Sequence, residues 1–282
     1  MTNNNSEQFI NGPVRYFRLI GFEFETTEKW MKFLLIIGLC NVSIVLVAQI
    51  LFGALSDVEL AERTAGISYL NYFLVSIGKM ISLIYNRSVM VKTLNEFRMI
   101  YPSKHLEKTF KLQKYLKKYL LIERFITGFF KSITIFYCIF PVILCLTELV
   151  RNREFTYRTP LMLWYPIEIR NNYGFYIFTY LQQTWASFEV AIIILGTDLC
   201  LFSSLLQLCM HLEVIKRNIL NIKPDKTEIA EKKLKKQIIY HQMVLRLAEK
   251  INDIFTPSVL FSLLASSFII CFTGYQLLGV IN

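Results

Sequence analysis

Five stretches of this chain are apolar for long enough to cross a bilayer, and the polar segments between them differ sharply from one another. The first, Phe33–Ser56, holds no charged residue in 24 positions, where about 20 residues suffice to span hydrocarbon. The second runs Thr64–Asn86 around a single Lys79, and the third Phe125–Thr147 around Lys131. The fourth starts near Tyr173 and should leave the bilayer near Ile194. Its apolar pattern continues to about Met210, so the helix is expected to project beyond the membrane. The fifth, Ile254–Ile281, is the longest run without charge. Pro141 predicts a kink in the third span, and Pro257 falls in the first turn of the fifth, where proline is tolerated. The pattern predicts an all-α fold: a polytopic membrane helical bundle of five spans (about 33–56, 64–86, 125–147, 173–194 and 254–281) in one domain covering residues 1–282.

Charge sets the expected orientation. The leader holds four Lys and Arg, the gap at 57–63 one, that at 87–124 ten, that at 149–172 four and that at 209–252 ten. Alternate segments therefore carry 24 basic residues against five, and cytoplasmic loops hold such an excess. The leader and the two large gaps are expected inside. Composition agrees: 54% hydrophobic and 18% charged residues, with a mean hydropathy of +0.42, are unusual for a soluble domain. The net charge of +10 is better explained by loops facing anionic lipid than by nucleic acid, and no zinc-finger or RNA-binding spacing accompanies it. The N-terminus carries eight charged residues before any long apolar run, unlike a signal peptide. The six cysteines lie in or beside apolar runs, as packing residues do.

The two large basic gaps are patterned rather than random. In Lys104–Arg124, Leu106, Phe110, Leu112, Tyr115, Leu116, Tyr119 and Leu120 recur near helical spacing with lysines opposite. In 226–253, Ile229, Leu234, Ile238, Leu245 and Ala248 form a similar stripe, with Asp225 as its cap and Pro224 before it. Extensions of spans three, four and five are expected to pack together beneath the membrane; an in-plane amphipathic helix is the alternative.

No catalytic motif, phosphate loop or metal-ligand spacing is present, so neither enzyme activity nor a cofactor is expected. Ionisable groups at membrane depth are functional candidates by default. Lys79 and Lys131 each lie seven residues, roughly 10 Å, inside an inner boundary, close enough for their stems to snorkel. Glu189 sits at similar depth, so a structural ion pair of Glu189 with Lys131 or Lys79 is expected. Asp198 is placed at the membrane exit. The outer halves of the spans gather aromatic rings with a few hydroxyls and amides, a lining suited to a small, mostly apolar ligand. The candidate pocket residues are Tyr69, Tyr72, Phe73, Phe140, Leu144, Tyr176, Tyr180 and Trp185. Packing and an interfacial aromatic belt are the plainer reading. Tyr173 and Tyr176 fit the belt better, and Tyr72, Tyr180 and Trp185 the pocket.

Several pieces carry a resemblance in order along essentially the whole chain. They are Pro160 with Trp164-Tyr165-Pro166, the run from Tyr180 to Gln183, Asp198-Leu199, His241, Leu245, Ile254-Phe255, and Ser266-Ser267 with Cys271 and Gly274-Tyr275-Gln276. Together they resemble insect odorant receptors. The resemblance implies a plasma-membrane subunit that binds volatile small molecules in the outer half of its bundle. It implies assembly as a hetero-tetramer with an odorant receptor co-receptor to form a ligand-gated cation channel, with membrane lipid and no nucleic acid as the other contacts. It also implies seven spans, so a chain truncated after the fifth, lacking the last two, is expected. A gustatory-type receptor, or a small-molecule transporter, are the alternative readings; a transporter would show a repeated half with broken helices, and Pro141 is the one candidate break.

Overall fold

The computed structural model describes residues 4–25, 28–56, 58, 60–153, 155–167, 172–222 and 228–281. Among these lie eight helices and no strand: α1 Asn4–Leu19, α2 Lys29–Leu55, α3 Leu60–Tyr85, α4 Arg87–Ile100, α5 Lys104–Thr109, α6 Gln113–Asn152, α7 Tyr173–Leu220 and α8 Glu228–Ile281. Five of them, α2, α3, α6, α7 and α8, are long and apolar enough to cross a membrane, and each contains one expected span. Their outward residues are apolar, including Phe33, Ile44, Phe136, Leu263 and Ile270, all more than half exposed except where neighbouring turns shade them. In hydrocarbon a helix satisfies its own backbone and such a surface costs nothing.

Contacts fix the directions. On α2 and α7, Gly38 meets Glu189 and Asn41 meets Gln182, so the two run antiparallel. Gly78 of α3 meets Phe261 of α8, and the Ser82 hydroxyl donates to the Ile254 carbonyl at 3.0 Å, again antiparallel. At one end of the bundle the chain between α6 and α7 folds back over the helices; this is the loop end. At the other, α1, α4 and α5 buttress the long helices.

The buttressed end holds the largest core. Phe17, Phe22 and Phe24 form an edge-to-face trio against Met90, Leu94 and Phe97 of α4, Cys200 and Leu208 of α7, and Val244, Leu247 and Ile251 of α8. Helix α1 lies against α6 and α7 because both contacts are relieved of side-chain bulk. A Cβ on Gly196 of α7 would stand 2.9 Å from the Phe17 ring, and one on Gly12 of α1 would collide with the Tyr119 hydroxyl of α6. Polar ties finish the joint: Arg15 to Glu123 at 2.8 Å, Tyr16 to Thr127 at 2.8 Å, and the Ser203 hydroxyl to the Phe9 carbonyl at 2.6 Å.

Two local expectations change. Helix α6 does not begin at Lys104; the chain turns between α5 and α6, with Lys111 in the left-handed region at φ 52 and the Leu112 amide donating to the Glu107 carbonyl at 3.0 Å. The fifth span is not a separate helix with Pro257 in its first turn. It continues from the basic stripe as one 54-residue helix, with Pro257 in its interior. Helix α6 contains Pro141 within its length. Pro224 and Asp225 lie outside the described residues.

Among the buried titratable groups at this end is a histidine in the basic segment 209–252, expected to lie outside the membrane. His211 of α7 is fully buried, its Nδ1 hydrogen-bonded to the Tyr240 hydroxyl at 2.7 Å, with the Phe97 ring stacked at 5.9 Å. Burial lowers its pKa from 6.5 to about 4. An unfolded chain therefore takes up a proton below pH 6.5 that the folded chain refuses until about pH 4. Stability is intact above that window and falls across it, by roughly 3 kcal/mol for this one group. Thermal melting of the purified chain between pH 7 and 4 should show this loss, and His211→Asn should flatten it; an unchanged slope in the variant would exclude His211 as its source.

Candidate ligand cavity at the loop end

The connection from α6 to α7 is built to stay in place. Arg153 ends α6 in the left-handed region at φ 57, and the Asn172 side chain caps α7 by accepting from the Phe175 amide at 3.1 Å. Between them, Arg158 pairs with Glu148 at 2.5 Å. Gln183 of α7, fully buried, accepts from the Leu161 amide at 2.9 Å. The Trp164 amide donates to the Ala48 carbonyl of α2 at 3.1 Å, and the Tyr165 hydroxyl to Gln182 at 2.9 Å. The Tyr176 hydroxyl donates to the Arg158 carbonyl at 2.9 Å. Leu161 is thereby driven into a core with Val42, Val45, Phe73, Ala186 and Val190.

Under this strap lies a cavity of about 930 Å³. Phe52 of α2, Glu62 and Tyr69 of α3, and Tyr137, Phe140, Pro141 and Leu144 of α6 form its helical walls, and Phe155 to Leu163 its cover. The four α6 residues stand at i, i+3, i+4 and i+7, a single helical face. The Tyr69 and Tyr137 rings lie 5.5 Å apart. The Tyr137 hydroxyl is buried and, apart from the Tyr69 hydroxyl beside it, has no hydrogen-bond partner among the described residues. A second cavity of about 210 Å³ lies between α6 and α7, walled by Val142, Cys145, Leu146, Tyr176, Ile177, Tyr180 and Leu181. Phe155 touches both cavities. One turn before Pro141, whose ring opens the α6 backbone ladder, the Tyr180 hydroxyl donates to the Cys138 carbonyl.

The residues singled out by sequence divide accordingly. Tyr69, Phe140 and Leu144 line the larger cavity, and Tyr176 and Tyr180 the smaller. Phe73 is 1% exposed and belongs to the core behind, with Tyr72 packed against the same core. Trp185 is 44% exposed and lines neither cavity. Sequence reasoning missed Phe52, Tyr137 and the 155–163 cover. Tyr137 was accessible through its spacing to Phe140, Pro141 and Leu144; the cover was not, since its position depends on where the chain folds back.

The expected Glu189 pair is not formed. Lys79, with its side chain 3% exposed, pairs instead with Asp198, further along α7. Glu189 packs on Gly38 with the Trp185 and Asn41 side chains beside its carboxylate, and Lys131 is exposed. Asp198 stands nine residues, roughly 13 Å, along α7 from Glu189, and it is that level that faces Lys79.

A polytopic helical membrane protein with an aromatic, ligand-sized cavity at one end is the class this fold defines. The chain belongs to the odorant receptor family: the family model described as 7tm Odorant receptor matches residues 60–282, which sets aside the gustatory and transporter readings. It is 24% identical to Odorant receptor 85c of Drosophila melanogaster over 96% of this chain and 72% of that protein. It is also 24% identical to Odorant receptor 85b of the same fly, over 80% of this chain and 59% of that one. The fold matches the insect olfactory receptor OR5 from Machilis hrabei with a TM-score of 0.71 at 15% identity, covering 95% of this chain and 71% of that chain. The structure of that receptor in complex with eugenol matches with a TM-score of 0.76 at 16% identity, covering 96% and 71%.

Removing the carboxylate at 198 leaves Lys79 buried and unpaired. Asp198→Asn should destabilise the purified chain by roughly 2–3 kcal/mol, less than a fully buried pair would lose because Asp198 keeps access to solvent. Lys79→Met in the same background should recover most of the loss. Equal melting temperatures for Asp198→Asn and the wild type would show the pair to be without structural weight.

Proposed function

We propose that this chain is an odorant receptor subunit that takes a volatile small molecule into the cavity between α2, α3, α6 and the 155–163 cover. The observation that carries the reading is the cavity itself: its volume of about 930 Å³ is of the size that holds small ligands, its helical walls are mostly aromatic, and it presents the neighbouring hydroxyls of Tyr69 and Tyr137. A ligand bearing a carbonyl, ester, ether or hydroxyl oxygen accepts from this hydroxyl pair, a hydrogen bond made away from water, while its apolar body covers Phe52, Phe140 and Leu144. The smaller cavity at Tyr176 and Tyr180 extends the site on the far side of Phe155.

The same layout supports a route from ligand to channel. The cover is tied to α7 through Gln183 and Tyr176, and α7 continues without a break to the buttressed end. A shift of the cover or of α6 around a bound ligand bears directly on a helix that also holds Asp198 and His211. In this reading the chain lies in the plasma membrane with its N-terminus inside, supported by the alternation of 24 against five basic residues. It works as a hetero-tetramer with an odorant receptor co-receptor, in which ligand binding gates a cation current.

Co-expression with the co-receptor of a receptor that carries this chain together with the two further spans the resemblance implies, and exposure to a panel of volatiles, should give odorant-evoked cation current. Tyr137→Phe should weaken responses to oxygen-bearing ligands roughly fivefold to tenfold, the worth of one hydrogen bond, and leave hydrocarbons of the same shape unaffected. Phe140→Ala should shift tuning towards larger ligands at unchanged surface expression. Equal losses for all ligands in step with expression would assign both residues to packing, and no current across the panel would contradict the receptor reading.

A further inference from the structure

One face of α6 carries charge and exposed aromatic surface that neither the ligand cavity nor the helical core uses. Lys117, Leu121, Arg124, Gly128, Lys131 and Ile135 follow each other at spacings of four and three, so they form one stripe along the helix. Every one of them is exposed. Beside the stripe, Phe125 is 73% and Phe129 57% exposed, their rings stacked 6.5 Å apart, with Phe136 above them and Lys118 below. Neither Lys117, Lys118, Arg124 nor Lys131 forms an ion pair among the described residues. Glu123, the one carboxylate between Gln113 and Thr147, is buried on the adjoining face and taken by Arg15.

We infer that this face binds an anionic glycerophospholipid of the surrounding bilayer. Charge decides the occupant. A second apolar helix laid here would leave Arg124 and Lys131 unpaired in a poorly solvated contact, at a cost no exposed leucine or phenylalanine offsets. A lipid meets both demands: acyl chains lie along Phe125, Phe129 and Phe136, and a phosphate meets the cations. Gly128 sets the position. A Cβ there would touch nothing within 4 Å, so the helix surface opens between Lys131, about 4.5 Å further along the axis, and Arg124, about 6 Å back. Helical side chains lean towards the N-terminus, which carries the Lys131 ammonium down to the level of that gap. Lys117 and Lys118, two to three turns lower, add attraction for headgroups with further negative charge.

The purified, delipidated full chain, offered phosphatidylserine, phosphatidylinositol 4,5-bisphosphate and phosphatidylcholine in equal amounts, should by native mass spectrometry retain the anionic lipids about tenfold over phosphatidylcholine. Arg124→Gln with Lys131→Gln should abolish that preference. Gly128→Leu, which fills open space without changing charge, should reduce it while leaving the melting temperature unchanged. Lys235→Gln with Lys236→Gln, an equal charge loss on α8, should leave it intact. Free glycerol phosphate should not displace the lipid. Equal retention of all three lipids, an equal effect of the α8 variant, no effect of the Arg124 and Lys131 changes, or displacement by glycerol phosphate would each overturn the inference.

Discussion

The burial of α7 is the constraint on which the other elements depend. It is the one span with most of its apolar window buried, and α1, α2, α3, α6 and α8 all contact it. In a bilayer the exposure of leucine to lipid carries no penalty, so helices are held together by close packing and polar contacts rather than by apolar area. Helix α7 supplies both. Small residues at Ala186, Ala191 and Gly196 admit neighbouring helices. Gln183 and Asp198 reach the cover and α3, and Ser203 reaches α1. Because the helix is continuous, the cavity, the Lys79–Asp198 pair and the buttressed core share one rigid element.

The two ends of the bundle consequently differ in kind. The buttressed end is packed with phenylalanine, methionine and leucine, with His211 held neutral among them. The loop end is looser, with a large cavity under a cover held by a handful of hydrogen bonds. Regions that bind ligands belong to the less densely packed part of a structure, and here the division follows from the sequence of α6. Its lower half buries Leu116 and Tyr119, whereas its upper half turns Tyr137, Phe140 and Leu144 towards open volume.

Much of the fold was legible because the spans announce themselves by length and lack of charge. The extensions of α6, α7 and α8 were legible through their stripes. Helix α1 was missed although Phe9, Ile10, Pro13, Tyr16, Phe17 and Ile20 stand at helical spacing, because its low hydropathy and its Gly12 and Pro13 masked that period. Lys79 was assigned the wrong partner. Counting depth along separate helices gives the level of a residue without saying which face of the helix it is on, and it is Asp198, not Glu189, that faces Lys79. The cavity was half legible: Tyr69, Phe140, Tyr176 and Tyr180 follow from aromatic residues in outer half-spans, and Leu144 from its place beside them on α6. The cover and Phe52 depend on the fold-back of 155–163, which rests on hydrogen bonds to Gln183 and Ala48 that no local pattern encodes.

The central claim is that a small molecule occupies the space enclosed by α2, α3, α6 and the cover. Photolabelling tests it most directly. A volatile that evokes a response, carrying a diazirine on its apolar end, would be bound to the purified chain, irradiated, and its adducts mapped by peptide mass spectrometry. The account predicts saturable labelling, displaced by the unmodified volatile, on peptides containing Tyr137, Phe140 or Leu161. Displaceable labelling confined to α8, or to the exposed Trp185 face of α7, would contradict it.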